Sequence, residues 1–243
     1  MWTDELDVEQ VRVYELRRSE TVADGMGEPD ETGLPIDDAR LTSRRRMRRR
    51  FVSARRRRYD VGMPMPQITW DDVQLLPDDG NRYEAIEGAL YMTPAPSVRH
   101  QTISFRLERE LARLLVDSGQ GQLLHAPIGV RFPATQEGVQ PDILFVSNER
   151  RGIVAPDELK GAPDLVVEIL SPSTAARDRD LKRRLYQRQG VAEYWIVDPE
   201  AAPVDVWRFG DEPRSERFVD SVPVRLGTTR LGTIDLAGVF AQG

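Results

Sequence analysis

Two apolar runs of the sequence each carry one carboxylate, and this feature most limits what the chain can fold into. The first run, D-I-L-F-V, begins with Asp142, and the second, L-V-V-E-I-L, contains Glu168. A carboxylate within a buried strand is costly unless it is paired or bound to a cation. Because V-V-E-I-L is apolar on both faces, it predicts a central strand covered on both sides. The two acids therefore indicate a site that holds a metal.

A helix is predicted over residues 177–188, directly after the second strand. Asp178 and Lys182 are one turn apart in it and could simply form a surface ion pair. They lie on the apolar arc, however, and Lys160 is the only other lysine in a chain rich in arginine. A lysine on the inward arc indicates that this position requires a compact, titratable ammonium. The arc comprises Asp178, Leu181, Lys182, Leu185 and Tyr186.

The preceding part of the body contains two further candidate site residues. The run R-Y-E-A-I-E-G-A-L-Y-M predicts a hairpin with its turn at Glu87-Gly88, and Glu84 lies on its first strand. Ser97 is a predicted N-cap of a helix running to about Val116, with His100 on its inward stripe. His100 is either a core histidine that donates to a backbone carbonyl or part of the site.

The other predicted elements are shorter or less regular. Thr69 is expected to cap a short helix through Leu76. The runs at about 122–132 and 139–146 predict a second hairpin, in which His125 is a strand histidine without a special task, and 147–163 predict a loop. Two strands are expected after Gly190. Near the end of the chain, the runs Val222 to Leu226 and Thr233 to Phe240 predict short strands and a turn that cover the sheet edge.

Several classes of protein are excluded by composition and motif. The chain has no cysteine, which rules out disulfides, thiolate catalysis and sulfur-ligated metals. No glycine-rich phosphate loop, G-x-S-x-G or H-E-x-x-H occurs. No apolar run approaches the roughly 18 residues of a membrane span, and the N-terminus is acidic rather than signal-like. We therefore expect a soluble, cytoplasmic protein with no membrane partner.

The first 62 residues differ in composition from the rest. Ten arginines lie between Arg44 and Arg58, whereas the body of the chain is acidic. Blocks of like charge with little apolar content do not bury enough surface to fold. We expect 1–62 to be a disordered extension and 63–243 to be the folded domain. The basic run is either a nucleic-acid-binding arm or sequence upstream of a true start at Met63 or Met65.

A set of motifs in fixed order links the body to a known family. They are R-Y-E-A-I-E-G, P-A-P-S-V-R-H, P-D-I, A-P-D-L-V-V-E-I-L-S-P-S-T, D-x-x-x-K-x-x-x-Y and G-V-x-E-Y-W-I-V-D-P. From about Thr69 to Phe240 the chain resembles the Uma family of bacterial restriction-endonuclease-like proteins, in the PD-(D/E)XK nuclease superfamily. The resemblance implies an α/β fold with a mixed central β-sheet flanked by α-helices.

The same resemblance implies a site and a reaction. Asp142 and Glu168 would bind Mg²⁺, or Mn²⁺, for hydrolysis of phosphodiester bonds. Leu170 stands where the superfamily has its lysine, and Lys182 of the next helix is the implied substitute. Glu84 and His100 are further candidates, as extra ligand or proton carrier. The expected partners are nucleic acid, with DNA as the first candidate, and a second copy of the chain in a homodimer.

A different class of function remains open beside the nuclease. The chain could be a catalytically inactive nuclease fold that only binds nucleic acid or a protein partner. The acidic body favours this alternative, because a duplex-binding protein usually has a basic face. The arginines of the predicted 177–188 helix partly supply such a face.

Overall fold

The computed structural model describes residues 67–172 and 174–241, and the predicted extension over 1–62 lies outside these residues. The described chain alternates short strands with a few helices. The strands are β1 (Arg82–Ile86), β2 (Ala89–Thr93), β3 (Gly121–His125), β4 (Gly129–Phe132), β5 (Glu137–Val139), β6 (Ile143–Ser147), β7 (Glu158–Lys160), β8 (Leu165–Ile169), β9 (Glu193–Val197), β10 (Val204–Arg208), β11 (Arg214–Phe218), β12 (Ser221–Leu226) and β13 (Thr229–Asp235).

In the described part of the chain, four α-helices and one short 3-10 helix (Arg151–Ile153) accompany the strands, and two of the α-helices contain π-helical segments. Helix α3 is continuous through Ala175–Arg177, a π-helical segment at Asp178–Lys182, and Arg183–Gln189. π-Helical segments are rare in proteins, and those that occur are often found at functional sites. The other helices are α1 (Trp70–Gln74), α2 (Val98–Leu111, followed by a π-helical segment at Ala112–Val116) and α4 (Leu236–Phe240).

The predicted caps are present at the ends of these helices. Thr69 accepts a hydrogen bond from the backbone N–H of Asp72, whose side chain in turn accepts from the Thr69 N–H, so α1 begins with a capping box. Ser97 accepts from the N–H of His100 at the start of α2. Gly190 ends α3 with a left-handed φ of 82°. Local sequence therefore determines where the helices begin and end.

The central six-stranded sheet has the order β11-β10-β9-β8-β6-β3. It is mixed, because β8 and β9 are parallel whereas the other pairs are antiparallel. A parallel pair needs a crossover, and here helix α3 connects the two strands. All five residues of β8 are buried, as expected for a central strand. The predicted mixed sheet flanked by helices is confirmed.

The two faces of this sheet carry different layers. On one face lie α2, the β12-β13 hairpin and α4, which share a core with Phe145, Val167 and Trp195. On the other face lie α3 and a five-stranded sheet of order β2-β1-β5-β4-β7, whose core includes Val166 and Tyr186. Side chains alternate along a strand, so Glu168 points to the same side as Val166. The acid therefore faces α3 and the smaller sheet.

Four details of the predicted fold were wrong. The hairpin expected from 122–132 and 139–146 is divided: β4 and β5 pair in the smaller sheet, whereas β3 and β6 pair in the central sheet. Pro127 and Pro141 lie at the two crossings, since proline cannot donate to a ladder. The expected loop over 147–163 contains β7, and β11 was not predicted. The final hairpin packs on a face of the central sheet rather than at its edge.

Helix α1 is fixed to the smaller sheet by one tryptophan. The indole of Trp70 lies against Gly129 and Gly138, where a Cβ atom would collide with the ring. Its Nε1 donates to Glu158 Oε2 at 2.9 Å. The two glycines therefore provide the close approach that this packing requires. None of the helices in the described part of the chain is both long and apolar enough to cross a membrane.

Candidate functional site

The register of the central sheet places Asp142 and Glu168 side by side. Ile143 of β6 pairs with Val167 of β8, so the preceding residue, Asp142, lies opposite Glu168. The N–H of Ile169 donates to Asp142 Oδ2 at 2.9 Å, which ties the aspartate to the end of β8. The two acids predicted from separate apolar runs therefore meet at one point of the sheet.

Asp142 is held by three donors. Arg82 Nη1 lies 2.8 Å from its Oδ1, and His100 Nε2 lies 3.0 Å from its Oδ2, which also accepts from Ile169. Burial alone would raise the pKa of this carboxyl. The hydrogen bond and charge of His100, the charge of Arg82 and the Ile169 N–H outweigh burial and lower the pKa to about 2. Asp142 is therefore ionised at neutral pH.

The pKa of Glu168 is shifted in the opposite direction, although the residue lies directly opposite Asp142 in the sheet. Its Oε1 accepts from Lys182 Nζ at 2.9 Å and from the Tyr186 hydroxyl at 2.7 Å. Complete burial raises its pKa to about 8, with the negative charges of Asp142 and other acids adding to the effect and Lys182 opposing it. The site thus contains two adjacent carboxyls whose pKa values lie far apart, a pattern that often marks functional sites.

Lys182 is the cation around which the acids gather. Its Nζ lies 2.9 Å from Glu84 Oε1, 2.9 Å from Glu168 Oε1 and 3.6 Å from Asp178 Oδ1. The side chain is 4% exposed, which confirms the inward position predicted for it. The ion pair with Asp178 exists too, but it is buried rather than on the surface. Burial would lower the pKa of Lys182, and the three carboxylates raise it instead, so the ammonium is charged.

Glu84 reaches the site from the smaller sheet. It is 1% exposed on β1, and its Oε1 also accepts from the Gln140 N–H at 3.0 Å. Burial favours the neutral form, but Lys182 and Arg177 lower the pKa of Glu84. Its Oε2 and Asp178 Oδ1 are buried without a hydrogen-bond partner in the described structure. Among the described residues, these two oxygens have only the longer ion pairs with Lys182, at 3.6 Å, and with Arg177, at 4.0 Å.

The structure distinguishes clearly between the two histidines. His100 Nε2 contacts the Asp142 carboxylate and not a backbone carbonyl oxygen, which was the alternative for a core histidine. Its Nδ1 is buried without a partner in the described structure. His125 is exposed at the end of β3, where its Nδ1 lies 3.0 Å from the Ala126 carbonyl oxygen.

The five predicted site residues line one cavity of about 480 Å³. It opens between α2, α3 and the ends of β6 and β8. A second cavity of about 690 Å³ shares Arg82, His100 and Asp142 with the first and continues along α2 past Phe105, which is 62% exposed. A substrate larger than the reacting group would therefore have room on one side of the acids.

Several cavity residues were not predicted from the sequence. Arg82 lies two residues before Glu84 on β1, and strand periodicity could have placed both on one side. Arg177 donates to Thr93 Oγ1 at 2.5 Å and stacks over the Tyr91 ring at 5.5 Å, and no local pattern indicates this. Tyr186 does not line the cavity, but its hydroxyl donates to Glu168. It lies on the predicted arc, four residues after Lys182, where the sequence assigned it no contact.

The donor atoms suit a hard divalent cation, although no ready-made cage exists. Within the described residues, no three His, Asp or Glu side chains form a group that could hold a metal. Mg²⁺ typically binds through one or two carboxylates and keeps several waters. Two adjacent buried carboxyl groups, together with oxygens of Glu84 and Asp178 that have no hydrogen bond in the described structure, fit such an ion.

Comparison with known families covers this part of the chain. Residues 70–230 match the model of the Uma2 family, described as "Putative restriction endonuclease". The chain belongs to the Uma2 family. The resemblance drawn from the motifs is thereby confirmed, and all five predicted site residues lie within the region that the Uma2 model matches.

Two individual proteins are similar to this Uma2 member. An uncharacterized protein of Synechocystis sp., slr1290, is 27% identical over 150 residues, which are 61% of this chain and 75% of that protein. A crystal structure of a "putative nuclease belonging to DUF820" from Anabaena variabilis is 21% identical with a TM-score of 0.58. The match covers 72% of this chain and 98% of that one. At 21% identity, the similarity to this structure establishes the fold alone.

Proposed function

We propose that this Uma2 protein is a metal-dependent nuclease that hydrolyses phosphodiester bonds in nucleic acid. The observation that carries the proposal is the contact of Lys182 with Glu168, opposite Asp142, at the base of an open cavity. Two carboxylates and an ammonium in one place are the groups that metal-assisted phosphodiester hydrolysis requires. Membership of a family described as restriction endonucleases supports the same reaction.

Asp142 and Glu168 are the residues that would hold Mg²⁺ or Mn²⁺. When bound, such an ion lowers the pKa of a coordinated water and neutralises charge on the phosphate. Glu84 has a buried oxygen without a hydrogen bond in the described structure and is the candidate for a further ligand. His100 would act through Asp142: its hydrogen bond to Oδ2 fixes the orientation of the carboxylate. His100 is thus proposed as a positioning residue.

Lys182 is proposed to act on the attacking water or on the charge that develops on the phosphate. Its ammonium is buried and charged, and the surrounding carboxylates hold it in place. A fixed charge in a site of low dielectric stabilises a transition state more than the same charge in water. The lysine therefore needs no rearrangement of its own before it can contribute.

The substrate is proposed to be nucleic acid, DNA in the first place, with phosphates that contact arginines at the cavity. Arg99 Nε and Nη2 both donate to the Pro199 carbonyl oxygen, at 3.1 and 2.7 Å, and no ion pair of Arg99 occurs in the described structure. A guanidinium without a carboxylate partner at the cavity lip suits a phosphate. A second copy of the chain, in a homodimer, stays a prediction.

A cleavage assay tests the proposal. The full-length protein is incubated with single- and double-stranded DNA and RNA, with Mg²⁺, with Mn²⁺ and with EDTA, and Asp142→Asn measures contaminating nucleases. We expect cleavage that needs the metal and is lost in the variant. Binding without cleavage under every condition would instead establish the inactive binding module.

A further inference from the structure

The aspartate that would hold the metal already has a partner on each of its oxygens. Oδ1 accepts from Arg82 at 2.8 Å, and Oδ2 accepts from the Ile169 N–H and contacts His100. A cation that approaches Asp142 must therefore compete with a donor that is present. A divalent cation bound to Oδ1 would lie close to the Arg82 guanidinium, and the repulsion between two positive charges in a buried site opposes keeping both.

The three partners differ in how easily they can leave. The Ile169 N–H belongs to the backbone of β8 in the centre of the sheet. His100 is anchored in the first turn of α2, and its side chain is 9% exposed. The Arg82 side chain is 17% exposed and borders both cavities. Besides its bond to Asp142, it donates a longer hydrogen bond of 3.3 Å to the Gln140 carbonyl oxygen. Arg82 is therefore the partner that can move.

The charge of the site explains why a cation is present at this oxygen. Four buried acids, Glu84, Asp142, Glu168 and Asp178, surround the cavity, and Lys182 contacts three of them. Asp142 is the acid that Lys182 does not pair with in the structure. An unpaired buried carboxylate is costly, and Arg82 and His100 supply the positive charge that Lys182 does not.

We infer that Arg82 is a resident counter-ion of Asp142 that a divalent cation displaces, so that its guanidinium becomes available to a substrate phosphate in the same cavity. The inference rests on the proposed function. In this arrangement the metal replaces the arginine at Asp142 Oδ1, and metal binding exposes a bidentate phosphate donor beside the reacting group. Metal and substrate would then bind cooperatively.

Calorimetric titration of the full-length protein with Mn²⁺, without nucleic acid, tests the displacement. Arg82→Met removes the competing charge and keeps much of the side-chain length. We expect the variant to bind Mn²⁺ at least about tenfold more tightly than the parent, because the metal no longer has to displace a charged hydrogen bond. Without metal the variant should melt at a lower temperature than the parent, and Mn²⁺ should raise its melting temperature by a larger margin.

Arg179→Met is the matched control. Arg179 lines the same cavity and pairs with Asp198 and Asp205, and it makes no contact with Asp142 or with another candidate ligand in the described structure. Removing it subtracts the same charge without freeing an oxygen of Asp142. An equal gain in Mn²⁺ affinity in both variants would show a general effect of charge and would overturn the displacement.

Other outcomes separate this inference from the proposed function. Unchanged or weaker Mn²⁺ binding in Arg82→Met, with binding in the parent that Asp142→Asn abolishes, would overturn the displacement alone. Absence of Mn²⁺ binding in parent and variant would overturn both proposals. If Arg82→Met does not fold, Arg82→Lys replaces it. Both contacts of Arg82 come from Nη1, and the shorter lysine side chain does not carry its ammonium to the position of that nitrogen. A smaller gain in affinity is therefore expected, and no gain overturns the inference.

Discussion

The ammonium of Lys182 lies 2.9 Å from an oxygen of Glu168, although the two residues belong to different elements, α3 and β8. The helix is the crossover that follows the strand, and it brings the lysine back over the acid. The position two residues after Glu168, where the superfamily has its lysine, is occupied by Leu170, which is buried. The charge is thus supplied from a different place in the chain but at the same acid.

Lys182→Met should lose both stability and cleavage. Three buried carboxylates would lose their shared cation, which we expect to lower the free energy of unfolding by about 3 to 5 kcal/mol. In the fraction that stays folded, cleavage should fall by about two orders of magnitude or more, whereas nucleic-acid binding is retained. Thermal unfolding and single-turnover kinetics measure the two effects. Lys182→Arg should restore little activity. Full cleavage by either variant would remove the lysine from the mechanism.

Asp142→Asn and Glu168→Gln should each abolish Mn²⁺ binding, since an amide is a far weaker ligand for a hard cation than a carboxylate. Titration calorimetry measures this. Glu193→Gln is the control, because Glu193 is a partly buried carboxylate bonded to Trp195 and Arg208 and lines neither cavity. Mn²⁺ affinity equal to that of the parent in both site variants would place the metal elsewhere.

The stability of the metal-free protein should depend on the ionisation of Glu168. Its pKa rises from an ordinary 4.5 to about 8 in the folded chain, so the folded state retains a proton that the unfolded state releases. The free energy of unfolding therefore falls as pH rises from about 4.5 to about 8 and is level above that.

Glu168→Gln removes this dependence, so its stability gain over the parent should be a few kcal/mol larger at about pH 8.5 than at about pH 5.5, at about 1.4 kcal/mol for each pKa unit. Denaturant unfolding at the two pH values measures the gain. Glu110→Gln, a change in a surface ion pair with Arg113, gives the background. A gain that is the same at both pH values would contradict the raised pKa.

Arg99→Ala should weaken nucleic-acid binding and reduce the slope of log affinity against log salt concentration by about 1, as expected for one lost phosphate contact. Arg106→Ala is a close control: Arg106 lies two turns further along α2 and also donates only to backbone carbonyls, those of Val239 and Ala241, but it lines neither cavity. Equal salt slopes in the two variants would exclude a phosphate contact at Arg99.

Elements whose evidence is local could be predicted from the sequence. An alternating or continuous apolar run marks a strand, and a 3.6-residue period marks the inward face of a helix. Asp142 and Glu168 were recognisable because acids are unusual in such runs, and Lys182 because it lay on an apolar arc. Ser97 and Gly190 marked helix ends for the same kind of reason, since capping depends on residues a few positions apart.

The contacts between distant elements could not be predicted in this way. Strand periodicity could have placed Arg82 beside Glu84, but its contact with Asp142 depends on the approach of β1 to the start of β6. No local pattern indicates the approach of Arg177 on α3 to Glu84 on β1. The division of β3-β6 and β4-β5 between two sheets was also missed, because each run looks like one strand until its partners are known. Short strands such as β7 have too few residues for a period to be visible.

The sequence by itself determined the helices and most of the strands, the caps, and which acids and which lysine face inward. Only the tertiary structure decided that these groups share one site, that Lys182 is shared by Glu84 and Glu168, and that Arg82 already occupies Asp142. The reason is physical: periodicity reports which side of an element is buried, whereas an ion pair between residues 14 or 60 positions apart depends on sheet register and on the path of a crossover helix.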